Sequence, residues 1–201
     1  AVLTLNNIVS VYNNEQKFPE MDAYCISKLY ADWKGLSQTA ITTALSVDNI
    51  LDTIDDMFVD QSEHRVTPTG RILYVTPTVA KLIRNARAID RQISISNFGG
   101  RVTRDVNAID NVIIEEVPSE LMQTAYDFSE GWKKGVSAKQ INMLLVDPNA
   151  VITPVSYSAA RLDPPSAGSK NKWVYFEESY EDVFILNQKV HGLKFHCETG
   201  A

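Results

Sequence analysis

Residues 68–93, PTGRILYVTPTVAKLIRNARAIDRQI, constrain the fold more than any other stretch of this chain. Pro68 and Gly70 are turn formers. Ile72, Leu73, Tyr74 and Val75 make a short continuous apolar run, the pattern of a strand covered on both faces. Thr76 is a favourable helix N-cap, and Pro77 falls at N1, where a missing N–H costs nothing. Val79, Leu82, Ile83 and Ala86 then recur at i, i+3, i+4 and i+7, one buried helical face. The block reads as turn, strand, cap and helix in unbroken succession.

Upstream, residues 5–35 are predicted mainly helical. Ile8, Val11 and Tyr12 recur at helical spacing; Met21, Cys25 and Leu29 form one stripe, and Ile26, Tyr30 and Trp33 another. Stripes on two faces imply a helix covered on more than one side. Pro19 is expected to kink or restart it, and Gly35 to stop it. A Ser/Thr/Ala-rich connection leads to a second helix, capped by Ser46 and running to about residue 63. Val47, Ile50, Leu51, Ile54, Met57 and Phe58 make its buried face.

Downstream, strands dominate. Ile93 and Ile95 alternate with Ser94 and Ser96, residues 97–100 turn, and residues 101–106 return as a second hairpin arm. Residues 112–117 form a strand ended by Pro118, and residues 126–139 an exposed polar loop. Residues 141–146 make a buried strand, after which Pro148 opens a helical turn. Strands follow at 155–162, 173–178, 182–186 and 189–198, with a loose loop at 163–171. In the last strand Leu193, Phe195 and Cys197 face in while Lys194, His196 and Glu198 face out. Helices and strands do not alternate regularly, which favours an α+β fold over a doubly wound sheet.

The chain has 201 residues, enough for one or two small domains with a core that needs no staples. No run approaches the roughly 18 apolar residues of a membrane span. The start has no signal-peptide pattern and no initiator Met, so the chain is expected to be processed or a fragment. Cys25 and Cys197 read as two buried small hydrophobes in a reducing compartment, not as a disulfide. A net charge of −6 argues against a protein whose main task is gripping nucleic acid. Basic residues gather at Arg84, Arg87, Arg91, Arg101 and Arg104; acidic ones gather at Asp52, Asp55, Asp56 and Asp60, and at Glu177, Glu178, Glu181 and Asp182. These are either solvated faces or complementary patches between neighbouring subunits.

Chemistry-bearing patterns are sparse. The turn at Val75–Leu82 lacks the glycines that let a backbone approach a pyrophosphate, and neither GxxxxGK[ST] nor GxSxG occurs. His191, His196 and Cys197 are close in sequence, but His196 and Cys197 should point to opposite faces of a strand, which disfavours a shared metal. His64 sits at a predicted helix end, where the dipole favours a cation. The adjacent acid pairs Asp55-Asp56, Glu115-Glu116 and Glu177-Glu178 do not converge across a cleft as glycosidase carboxylates do.

The 68–93 block resembles the "GR-I-L-Y-V-T-P…LL" segment of tailed-bacteriophage major capsid proteins. PEMDAY at 19–24 with SKLY at 27–30 looks like part of that family's long spine helix. Residues 91–124, RQISISNFGGRVTRDVNAIDNVIIEEVPSELMQT, look like its hairpin and the strand ending in "VPS-x-x-M-x-T". INMLLVDPNAVITPV at 141–155 is similar to its "INMLLVHPSAVI-P-V" strand.

That resemblance implies the wedge-shaped α+β fold of the Hong Kong ninety-seven type, with axial and peripheral domains and a spine helix. Residues 1–66 would hold the spine and connecting helices of the peripheral domain, and 67–154 the axial domain. Residues 155–181 would form the peripheral-domain sheet, and 182–201 terminal strands returning to the axial domain. The implied function is that of a structural subunit, not an enzyme, in a phage or prophage icosahedral capsid. It would self-associate into hexamers and pentamers enclosing packaged DNA, with scaffold or portal proteins as further partners. No cofactor, metal, specific nucleic-acid site or membrane is implied. The implied location is the virion capsid, assembled in the bacterial host cytoplasm. Arg84, Arg87, Arg101, Arg104, Trp132, Lys133 and Lys134 are the expected intersubunit contacts. The family carries an N-terminal arm and an extended loop before its spine helix. The match begins at or just after that loop, so this chain is expected to be a truncated subunit that folds but assembles poorly alone. The alternative from the residues themselves is a small α/β enzyme or ligand-binding module that uses the helix N-terminus at Thr76 as an anion site.

Overall fold

A computed structural model of the chain describes residues 2–86, 94–95, 102–103, 108–129 and 131–199. It opens with one long helical run: α1 (Val2–Tyr12), a π-helical turn (Asn13–Lys17) and α2 (Phe18–Gly35). Pro19 has no N–H for the carbonyl four residues earlier, and its ring crowds that turn. Widening the helix into a π turn just before it relieves the crowding, so the predicted kink takes the form of a bulge. Gly35 is the last helical residue, but the left-handed conformation falls on Ser37 (φ 61°).

The second helix, α3 (Ile50–Glu63), starts later than Ser46. The Asn49 side-chain oxygen accepts the Ser46 N–H at 2.7 Å and its amide donates to the Ala44 carbonyl at 2.9 Å, holding residues 46–49 as a turn. At the other end Arg71, 2% exposed, gives its guanidinium to the α3 carbonyl of Phe58 and hydroxyl of Ser62, and to the carbonyls of Val66 and Thr67 beyond the helix. One buried cation thus gathers oxygens at the helix C-terminus, where the dipole is negative.

The block from Pro68 onward forms as its residues predict. Gly70 turns with φ 85°, β1 (Ile72–Val75) follows, and α4 (Pro77–Asn85) starts behind an extended Thr76. Thr76 holds the N-cap position by its backbone. Its carbonyl accepts from Ala80 at 2.9 Å, while its buried hydroxyl finds no partner among the described residues.

Short strands then follow. β2 (Ser94–Ile95) pairs antiparallel with β3 (Val102–Thr103); the turn between them lies outside the described residues. β4 (Ala108–Ile109) and β5 (Val112–Glu116) are joined by Asp110 and Asn111, both at positive φ, as a two-residue hairpin requires. The expected loop at 126–139 contains a small ladder, β6 (Tyr126–Asp127) with β7 (Lys133–Lys134). The rest comprises β8 (Ile141–Val146), β9 (Val151–Ile152), β10 (Val155–Asp163), β11 (Val174–Glu181), β12 (Phe184–Ile185) and β13 (Leu193–Cys197).

Five strands make the central sheet, in the order β13-β8-β1-β5-β4; β1 and β5 are parallel and the other pairs antiparallel. One face carries Trp33 and Leu29 of α2 packed on Leu144, Leu193, Phe195 and Cys197. The opposite face carries Ile50, Ile54 and Met57 of α3 and Val79 and Ile83 of α4, packed on Leu73, Val75, Met143 and Leu145. The architecture is mixed α+β, with a sheet covered on both sides.

Two expectations at the C-terminal end need correction. The predicted strand at 189–198 starts only at Leu193, because Asn187–Gly192 form a 3₁₀ segment. A Cβ on Gly192 would sit 2.5 Å from the Ala150 Cβ, so the backbones approach as only glycine allows. His196 does not face out. It is 1% exposed, its Nε2 is 2.8 Å from the Thr43 carbonyl, and Ile41 bridges to it along the outer edge of β13. Cys25 is half-buried and Cys197 buried, both as free thiols, and burial pushes the Cys197 thiol up to about 11.

Candidate functional site

β10 and β11 run antiparallel from Val155↔Glu181 to Asp163↔Val174 and form a two-stranded sheet of their own. Alternation along a strand divides the side chains into two faces. One face carries Ser158, Ala160, Leu162, Tyr175, Glu177 and Ser179, of which Ser158 and Ala160 are exposed and the other four half-buried. Tyr175 lines a shallow groove together with Val9, Asn13 and Phe18 of the N-terminal helical run, and Lys17 of that run forms an ion pair with Glu177. The Lys17 ammonium and then the Tyr175 hydroxyl, which donates to Oε2 at 2.7 Å, hold the Glu177 carboxyl below its ordinary value.

The other face is open. Tyr157 pairs with Tyr180, ring centroids 5.8 Å apart, and Phe176 and Val174 continue the row. Tyr157 is 46% exposed, Phe176 51% and Tyr180 57%. Aromatic and β-branched residues on a strand usually belong to a covered face. Here three aromatic rings share one uncovered face, beside the acidic Glu178 and the basic Arg161. Other exposed apolar residues are Val155, Ile152 and Phe184, and Ile8, Val11, Tyr12 and Phe18 of the N-terminal helical run. Clustered exposure of this kind marks association surfaces rather than ordinary monomer surface.

The hairpin's root is firmly anchored. Lys28 of α2 donates to the Val183 carbonyl at 2.8 Å, pairs with Asp182 at 3.3 Å and sits 4.6 Å over the Phe184 ring. The Val183 N–H and then Lys28 hold the Asp182 carboxyl below its ordinary value. Between α2 and the hairpin root lies a groove of about 680 Å³ lined by Met21, Tyr24, Cys25, Phe128, Pro154 and Val155, among others.

The expected contact residues are dispersed. Lys133 and Lys134, both exposed, form β7, and Trp132 immediately precedes them. Trp132 is half-buried edge-to-face on Tyr126, which neighbours Phe128, which in turn meets Tyr24 of α2 edge-to-face. The Tyr126 hydroxyl donates to the Glu120 carbonyl at 2.5 Å, and burial pushes its pKa up to about 12. Arg84 lies on α4 and pairs with Glu116 of β5 at 2.7 Å. Arg87, Arg101 and Arg104 lie outside the described residues. The open aromatic face was not among the expected contacts. Its signal, V-Y-F-E-E-S-Y, has the alternation of an ordinary half-buried strand.

The alternative site at Thr76 gains little. The groove beside Ala80 and Ile83 of α4 is lined by Arg84, Glu115 and Glu116, and Arg84 is already paired with Glu116, so its charge is matched and Glu115 adds a negative one.

No family model matches the chain, and no curated protein matches it. Solved structures do share its fold. One is from Mycobacterium phage Che8: TM-score 0.54 at 13% identity, over 96% of this chain and 61% of that one. Another is from the capsid structure of the cyanophage P-SCSP1u: TM-score 0.53 at 14% identity, over 79% of this chain and 48% of that one. The chain thus spans about half to three-fifths of the length of each. The likeness is distant and partial, and it is a likeness of fold.

Proposed function

We propose that this chain is a structural subunit of a phage or prophage icosahedral capsid, associating with copies of itself into hexamers and pentamers that close around packaged DNA. The observation that carries the reading is the fold likeness to phage structures over nearly the whole chain, 96% in one comparison. The open aromatic face supports it, because a shell is held by many repeated, individually weak contacts between identical subunits. On this reading the α1–α2 run is the spine helix. Residues 1–66 and 155–181 belong to a peripheral domain, 67–154 to an axial domain, and 182–201 return to the axial sheet. Trp132, Lys133, Lys134 and the arginines at 84, 87, 101 and 104 serve at capsomer contacts. Scaffold or portal proteins are further partners, and the location is the virion, assembled in the host cytoplasm. No described helix is long and apolar enough to cross a membrane.

The test is light scattering and negative-stain microscopy of the full gene product beside this chain. Rings or closed shells support the reading. A discrete monomer from both at high concentration overturns it.

A further inference from the structure

The end of α3 meets the segment before β13 through an unusual pair. The rings of His64 and His191 stack with centroids 3.6 Å apart and planes 11° from parallel. Asp60 lies one helical turn before His64, and one ligand-capable atom from each of Asp60, His64 and His191 falls within 4.8 Å of the other two. His64 Nδ1 is 2.7 Å from the Asp60 carbonyl and 3.7 Å from Asp60 Oδ2, which sets the ring beside the carboxylate. His191 Nδ1 is buried and has no hydrogen-bond partner among the described residues. A buried ring nitrogen left unpaired is costly and calls for an explanation.

We propose that Asp60, His64 and His191 form a binding site for a divalent transition metal of the zinc class. Two imidazoles and one carboxylate are a borderline N/O donor set, suited to zinc, cobalt or nickel rather than to magnesium or calcium, which take oxygen ligands. Three protein ligands leave a fourth position for water, and the cleft alongside, about 690 Å³ and lined by Asp147, Asn149, Gln188 and Lys189, gives solvent a path to it.

Binding requires a local change. Ligand atoms bonded at about 2.0–2.2 Å to a tetrahedral ion lie roughly 3.3–3.6 Å apart, so the set must close by about 1 Å. A metal lies in the plane of each ring that binds it, so the parallel stack has to open. His64 is exposed at the helix end and is the group free to swing. Lys194, with Nζ 2.8 Å from Asp60 Oδ2, holds the carboxylate in the metal-free state and competes with the ion.

The site is independent of the capsid reading and is tested on this chain alone, without an affinity tag and after chelator treatment. Calorimetric titration with Zn²⁺ near pH 7.5 is expected to show one saturable equivalent, with a rise in Tm as the ion ties α3 to the entry of β13. Co²⁺ should give the visible bands of a four-coordinate nitrogen–oxygen site. H64A and H191A should each weaken zinc by about tenfold or more, and K194M should tighten it by freeing Asp60. H64A changes an exposed residue, so it keeps the test open if H191A fails to fold. Absence of a saturable equivalent, or binding unchanged in H64A and H191A, overturns the proposal.

Discussion

The central sheet and the β10–β11 hairpin are both hydrogen-bonded ladders, yet they end in opposite environments. In the sheet, β8 and β1 have partners on both sides, and helices cover both faces. The hairpin has two strands, one face tied to the N-terminal helical run by the Lys17–Glu177 ion pair, and three exposed aromatic rings on the other. A lone two-stranded hairpin is at best marginal in water. The difference separates two jobs. Side chains in the sheet hold the chain's own fold together, and on the proposed capsid reading those on the open face would hold one copy to the next. Breaking each region in turn should give different failures.

The largest stability loss is expected from Trp33→Ala. The indole is 0% exposed and packs 4.9 Å, centroid to centroid, from Phe195. Its removal should cost about 3–5 kcal/mol in urea unfolding. A loss under about 1 kcal/mol would show that α2 is not part of the core. Gly192→Ala comes next. Its new Cβ would meet the Ala150 Cβ at 2.5 Å, for a cost of about 1–3 kcal/mol. The pair G192A/A150G removes the opposing methyl and should recover much of that loss; no recovery would move the strain elsewhere.

Acid should act on the sheet with a smaller, graded effect. Burial lowers the pKa of His196 from its ordinary 6.5, and the neutral ring's Nε2–H donates to Thr43. Below pH 6.5 the unfolded chain therefore binds a proton that the folded chain refuses. Stability is complete above that pH and declines as pH falls toward the lowered folded value, by at most about 1.4 kcal/mol per pH unit for this group. The His191 pKa is lowered as well and adds in the same direction. H196Q should flatten the slope of stability against pH between 6.5 and the acid limb, and an unchanged slope would assign the effect to other groups.

How legible these regions were in the sequence follows from the range of their causes. The run Ile72–Val75, the periodic α4 and the apolar β8 announce themselves because a few neighbouring residues set each pattern. Ser46 was the obvious cap by type, but Asn49 folds back on it and delays the helix. His196 alternated correctly for an outward position. It is buried because residues 41–43, far away in sequence, lie along that edge. Arg71 carried no sequence signal, because its partners on α3 and just beyond it are brought together only by the fold. The His64–His191 stack joins two segments with no local signature. The open face was the least legible of all, because alternation says which side chains share a face and never whether anything covers it.

That last point makes the hairpin the sharpest test of the comparison. F176S/Y180S removes two exposed rings that face away from the helix, so unfolding free energy should change by no more than about 0.5–1 kcal/mol. If the face only tolerates water, nothing else changes. If it carries subunit contacts, sedimentation and microscopy of the full gene product should show loss of rings or shells while the circular dichroism spectrum and Tm stay at wild-type values. Trp33→Ala should fail in the reverse manner, by losing the fold first. A double serine variant that assembles normally would put the contacts on other surfaces, with the Trp132–Lys134 ladder and the exposed Ile8, Val11 and Tyr12 next in line. A double variant that unfolds would show that the hairpin belongs to the subunit's own core, and the division between the two regions would be lost.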